Sequence, residues 1–319
     1  MTSRLLDLPS LLRLQSLQLR ARLVAEGALQ GLHRAAHHGS SVEFAEHKEY
    51  APGDELRHID WRAWGRIDKY YVKRYEEEAE VRAYIVVDSS GSMGYGRQDQ
   101  LTKLDFARLL AAALAYLLLR QHDSSGVLIA RENGPLYIPP RAGPAHLGDL
   151  CRALEETQAD GRAELGDALQ LLSETIRRRS LIVVLSDLLP PPPLSETTDY
   201  SEYLRRHSAL LRAKLVSLRA QKHDVIVLQI LDADELELPW SSLTWFEEVE
   251  PTLAGHERLF VDPGDVRKAY LTELEQFLTE TRRGLREGDV EYSLVQSSRS
   301  PESVLLDILR GPMRQRVRR

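Results

Sequence analysis

The residues best suited to chemistry lie in VVDSSGSMGYG, residues 86–96, where an apolar run ends on Asp88 and a loop of serines and glycines follows. A hard divalent cation such as Mg²⁺ takes oxygen ligands in near-octahedral geometry and commonly keeps some of its waters. The alternation Asp88-x-Ser90-x-Ser92 can aim three short oxygen donors at one point without ordering a long side chain. Taken alone, the pattern is also that of a helix cap or tight turn, where Asp and Ser are common. A second acid favours the metal reading. Asp187 follows LIVVLS and, like Asp88, stands at the end of an apolar run, so two negative charges can meet where a dication would neutralise them.

Two carboxylates 99 positions apart need a scaffold that brings strand ends together. The sequence has that rhythm. VRAYIVVD (81–88) leads to a helix from about Leu101 to Gln121, and GVLIARE (126–132) leads, through a turn and LYIP, to the helical HLGDLCRALEE. The helical LGDALQLLSETIRRR precedes SLIVVLSD (180–187), and YLRRHSALLRAKLVSLRAQK precedes HDVIVLQILD (223–232). Near-continuous Val/Ile/Leu runs mark strands covered on both faces. The fold class predicted is α/β, a doubly wound and mainly parallel sheet, with ligands beyond the carboxyl ends of its strands.

Before this region, leucines at 5, 8, 12, 19, 23 and 32 among arginines and glutamines predict one or two amphipathic helices. Residues 39–80 are rich in charge and aromatics, with the turn signal APGDE and the strand-like KYYVKRYEEE, and read as a small β-containing subdomain. The predicted divisions are therefore 1–80, 81–310 and a basic tail, 311–319. Four consecutive prolines, 190–193, make a stiff loop just after a strand end.

Composition narrows the function classes. With 43% hydrophobic and 28% charged residues, the 319-residue chain is of globular type. A formal net charge of −6 argues against generic nucleic-acid binding. Arg4, Arg13, Arg20 and Arg22 interrupt the leucine-rich start, and the longest apolar run, 109–119, is too short to span a bilayer, so neither a signal peptide nor a membrane span is expected. Cys151 has no partner cysteine and reads as a small buried residue; the cytoplasm is the expected location. His33, His37 and His38 lack a neighbouring carboxylate or cysteine and read as solvated helix residues rather than ligands.

The Asp88, Ser90, Ser92 and Asp187 pattern resembles the metal-ion-dependent adhesion site of a von Willebrand factor type A domain. In that family a threonine from another loop joins the set; the matching position here is Ala163, in GRAELG, with Glu164 or Asp167 as candidate substitutes. A longer motif, EFAEHKEYAPGDELRHIDWRAWGR (43–66), closely resembles the signature of the bacterial family called domain of unknown function fifty-eight, whose members carry it just before a von Willebrand-type domain. Lys48 stands where an arginine is usual. Asp54, Arg57, Asp60 and Arg66 can form charge-assisted hydrogen bonds around Trp61 and Trp64, as a structural fastener or as a partner-binding face made of Asp54, Arg57, Asp60, Trp61 and Arg66.

The resemblance implies a noncatalytic adaptor associated with a MoxR-type AAA+ ATPase, a client protein or both, with a weak or conditional Mg²⁺ site. The chain has no G-x-x-x-x-G-K-[ST] loop, G-x-S-x-G elbow or H-E-x-x-H pair of its own. The alternatives are a metal-dependent phosphohydrolase with Asp88 as nucleophile, and a structural domain whose metal site has degenerated. Against the first, Ser90 occupies the position where the simplest such enzyme needs a second acid.

Overall fold

The structure, a computed structural model, describes residues 16–36, 47–49, 71–73, 81–97, 100–159, 161–192, 200–247, 249–250, 258–311 and 313. Two units divide the chain: residues 33–80, and residues 1–32 together with 81–319. In the first, β1 (His47–Glu49) pairs antiparallel with β2 (Tyr71–Lys73), placing a strand within KYYVKRYEEE as expected.

The larger unit is built on six strands: β3 (Arg82–Asp88), β4 (Ser124–Ala130), β5 (Leu136–Arg141), β6 (Leu181–Ser186), β7 (Asp224–Leu231) and β10 (Glu291–Gln296). Their order is β10-β7-β6-β3-β4-β5, all parallel except the antiparallel edge strand β5. This is the doubly wound, mainly parallel sheet expected from the sequence. The four predicted strands are present to within a residue or two at each end, and β10 and β5 extend the sheet at its edges. A separate ribbon pairs β8 (Thr244–Glu247) with β9 (Arg258–Val261).

Side chains alternate between the faces of a strand. Ile85, Val87, Val127, Ile129, Val183 and Leu185 enter one core with helices α1 (Leu17–Ala36), α2 (Lys103–Arg120), α3 (Ala145–Glu156) and α8 (Pro301–Arg310). Tyr84, Val86, Leu128, Ile182, Val184 and Val227 enter the other with α4 (Leu165–Thr175), α5 (Tyr200–Ala220) and α7 (Pro263–Glu287). Right-handed crossovers explain the division. The chain moves from β3 to β4 in one direction and from β6 to β7 in the other, so α2 and α5 fall on opposite faces. Helix α2 is apolar almost all round, as a helix enclosed by sheet and neighbours should be. Among the described residues no helix is long and apolar enough to cross a membrane.

One edge detail limits substitution. A Cβ on Gly126 would stand 2.6 Å from the Ile138 carbonyl oxygen and 2.7 Å from Pro140 N, where the β4–β5 register shifts. The prolines of β5 lie on the sheet's edge, where a missing N–H is tolerated.

Candidate functional site

The strand order reverses between β3 and β6: the chain runs outward from β3 through β4 and β5, then returns to the other side for β6 and β7. In open α/β sheets the crevice at such a reversal, beyond the carboxyl ends, is where ligands bind. Asp88 ends β3, Ser186 ends β6 and Asp187 follows it directly, so the fold places the predicted acids at the ends of the two strands that flank the crevice.

The loop after β3 is fixed by hydrogen bonds that leave its hydroxyls aimed together. Ser89 donates from its hydroxyl and its amide to the Ala130 carbonyl, at 2.6 and 3.2 Å, which ties the loop to the end of β4. The Ser90 amide donates to Asp88 Oδ1 at 2.9 Å, and the Ser186 hydroxyl donates to Asp88 Oδ2 at 2.5 Å. The Gly91 amide donates to the Gly161 carbonyl at 3.1 Å, fastening the short 3-10 turn Gly91–Gly94 to the loop that carries Ala163. Ser90 makes no side-chain cap bond to that turn; its hydroxyl and that of Ser92 are hydrogen-bonded to each other at 3.1 Å.

Asp88 is buried, and that burial, together with the charge of Asp187, pushes its carboxyl up to about 6, against the opposing bonds from Ser186 and Ser90. Asp187 is fully buried and is held from several sides. Lys103 Nζ donates to its Oδ2 at 2.8 Å, the Leu189 amide donates to Oδ1 at 3.0 Å, and Gln229, itself bonded by Tyr292, donates to its main-chain oxygen at 2.8 Å. Leu188, which follows, takes a positive φ of 59°, a conformation costly for a branched residue and held here by a 2.8 Å bond from its amide to Ser186 Oγ.

Lys103 opens α2 and is 0% exposed; its ammonium also donates to Glu235 Oε1 at 2.6 Å. Burial opposes its charge, but Asp187 and Glu235 more than offset that and raise its pKa above the ordinary lysine value. Glu235 is positioned by the capping box that opens the short helix α6 (Ala233–Glu237): Asp232 accepts from the Asp234 amide at 2.9 Å, and Glu235 accepts from the Asp232 amide at 2.7 Å. Beside it, Tyr95 and Arg97 hold Asp234, while the Ser297 hydroxyl donates to Asp232 at 2.8 Å.

A further carboxylate comes from far along the chain. Glu250, three residues beyond the end of β8, is 5% exposed and accepts a 3.3 Å bond from the Ser92 amide through Oε1. Burial pushes its pKa up to about 7; the Ser92 bond opposes the shift, and the charges of Asp187 and Asp88 add to it. Lys103, Glu235 and Glu250 all escaped the sequence reading. Asp232-x-x-Glu235 was a legible capping box and a charge opening an apolar helix was visible at Lys103, but nothing local points from Glu250 to Ser92.

The site's chemistry can be tested against a divalent cation. Two neighbouring oxygens of an octahedral Mg²⁺ shell, with bonds of about 2.05 Å, stand about 2.9 Å apart. The Ser90–Ser92 separation of 3.1 Å is close to that. Among the described residues no three or more His, Cys, Asp or Glu side chains come together as a metal cage. The residues present therefore fit only a hard dication that takes Asp88 and the two serine hydroxyls and keeps several of its waters. Ala163, buried at 3% exposure, contributes no side-chain oxygen, and Glu164 lies with its carboxylate 3.7 Å from His207 Nε2. Asp167 stands in the first turn of α4.

Asp54, Arg57, Asp60, Trp61 and Arg66 lie outside the described residues, as do the side chains of His33, His37 and His38. Cys151 is buried in the core around α3, and burial pushes its thiol up to about 12, the state of an inert packing residue.

The family model described as "Protein of unknown function DUF58" matches residues 46–276, and the chain belongs to that family. Uncharacterized proteins of Mycobacterium tuberculosis and Mycobacterium bovis are 29% identical over 229 residues, a match covering 71% of this chain and 66% of theirs, just under two thirds of their length. Similar solved structures include an aerotolerance-related membrane protein from Bacteroides fragilis, at 16% identity and a TM-score of 0.45, covering 73% of this chain and 99% of that one. The VWA domain of SpRpn10 is similar at 12% identity and a TM-score of 0.40, covering 72% of this chain and 95% of its own.

Proposed function

We propose that the protein is a noncatalytic adaptor that binds other proteins through a divalent cation held by Asp88, Ser90, Ser92 and Asp187. The observation carrying this reading is the pair of serine hydroxyls 3.1 Å apart, at the strand-order reversal, beside the buried Asp88. When bound there, a hard cation supplies a point of strong attraction for an acidic side chain of a partner. The chain's own part is to hold the two hydroxyls in register through the Ser89, Ser90 and Gly91 backbone bonds and to keep Asp88 ionisable beside them.

The partner class follows from the resemblance of the 43–66 motif: a MoxR-type AAA+ ATPase, acting with this chain on the assembly or maturation of client proteins in the cytoplasm. The nucleotide chemistry belongs to that partner. A phosphohydrolase reading lacks an acid/base group beside Asp88, since Ser90 stands where the simplest such enzyme needs a second acid.

A pull-down from the native host, with and without Mg²⁺, tests the proposal. An AAA+ ATPase retained in Mg²⁺, and lost both in EDTA and with Asp88→Ala, is the expected result. Retention indifferent to both changes would remove the cation from the account. A second reading has one observation behind it: Lys103 already neutralises Asp187, as in a site that has exchanged its metal for an ammonium. On that reading the same pull-down shows no dependence on Mg²⁺.

A further inference from the structure

Glu250 is hard to explain as a packing residue. Its Oε1 is bonded to the Ser92 amide, but its Oε2 is buried with no hydrogen-bond partner. Burying a carboxylate oxygen without a donor or cation is costly, so such an atom calls for an explanation. The side chain lies directly over the turn that presents the serine hydroxyls: a Cβ on Gly91 would come within 2.8 Å of Glu250 Cγ and 3.1 Å of the Val249 carbonyl oxygen. The site lacks one oxygen, because Ala163 stands where the resemblance implies a threonine. Lys103 donates to Asp187 and Glu235 and makes no hydrogen bond to Glu250 Oε2.

We propose that Glu250 is this chain's own carboxylate ligand for the divalent cation at Ser90 and Ser92, filling the coordination position that a partner's acidic side chain must take over. The inference rests on the cation reading above and deepens it. A carboxylate already bonded to the Ser92 amide is tethered beside the Ser92 hydroxyl, so it meets the cation as an intramolecular ligand. The isolated protein is then self-ligated. Partner affinity is set by exchange of one carboxylate for another rather than by filling a vacant position.

The competing explanation is a direct ion pair with Arg162. Its guanidinium favours the charged form of Glu250, and its NH1 nitrogen is itself buried without a partner. Titration of the full-length protein with Mn²⁺, followed by electron paramagnetic resonance of the free ion, separates the two. We expect wild type to bind, Ser92→Ala to lose binding, and Glu250→Gln to weaken it at least tenfold. Gly91→Ala keeps the carboxylate but pushes it off the turn, and should weaken Mn²⁺ in the same direction while circular dichroism shows an intact fold. Acetate added to the Mn²⁺-loaded Glu250→Gln protein should displace bound water, read as a fall in water-proton relaxation, and should do so far less in wild type.

Mn²⁺ affinity unchanged by Glu250→Gln and by Gly91→Ala, yet abolished by Ser92→Ala, would overturn the inference and leave the cation reading standing, with Glu250 assigned to Arg162. No Mn²⁺ binding by wild type would remove the cation reading and this inference together.

Discussion

Replacing Lys103 by methionine is the sharpest perturbation of the framework beneath the site. The substitution keeps most of the apolar stem that fills the core at the start of α2 and deletes only the ammonium, which donates to Asp187 at 2.8 Å and to Glu235 at 2.6 Å. Lys103 and Asp187 side chains are both 0% exposed, so water cannot replace the lost cation. Removing one partner of a buried ion pair costs about 3–5 kcal/mol, because the remaining charge is left uncompensated. At about 2.1 cal/mol/K of unfolding entropy per residue, that is a fall in unfolding midpoint of about 5–9 °C for a unit of this size. Thermal and urea denaturation followed by circular dichroism, in EDTA, measure it. Lys103→Met combined with Asp187→Asn should recover part of the loss, since the double variant no longer buries Asp187 as an unpaired anion. A loss below about 1 kcal/mol for the single variant, within the range of an exposed pair, would refute the reasoning.

Gly126→Ala forces a methyl group against the β5 backbone at 2.6 Å from the Ile138 oxygen, and should destabilise by about 1–3 kcal/mol in urea unfolding. Burial lowers the pKa of His223, which is 2% exposed with Nδ1 unpartnered. Below about pH 6.5 the unfolded chain therefore takes up the proton first, and stability falls as pH drops through that range; His223→Gln should flatten this limb of the urea-midpoint profile. Rigorously purified protein should show no turnover of phosphoesters, peptides or nucleotides; activity abolished by Asp88→Asn would favour an enzyme.

Much of the fold could be read from residue patterns because its central strands are covered on both faces. Runs such as LIVVL and VIVLQIL have no other economical use, and β3, β4, β6 and β7 fall where they were expected. Strand β10, EYSLVQ, is a half-exposed edge strand whose mixed composition carries little of that signal. At the site, Asp88, Ser90, Ser92 and Asp187 were visible because each sits at a strand end or in a short alternating loop. Lys103 was hidden inside a helix recognised by its apolar residues, and its role appears only once α2 packs against the end of β6. Glu250 reaches Ser92 across 158 positions of sequence from an irregular segment after β8, so only the tertiary structure could reveal it.

The account depends most directly on a divalent cation binding at the reversal between β3 and β6, and the unfolding midpoint in Mg²⁺ against EDTA measures this without knowledge of the partner. A ligand that binds only the folded state stabilises by about 2.7 kcal/mol at one hundred times its dissociation constant. The midpoint of wild type should therefore rise by about 5 °C at that Mg²⁺ concentration, and Ser92→Ala and Asp88→Asn should abolish the rise. An identical midpoint for wild type in Mg²⁺ and in EDTA would contradict the account and leave Asp88, Ser90 and Ser92 as a capping turn stapled to a lysine-neutralised core.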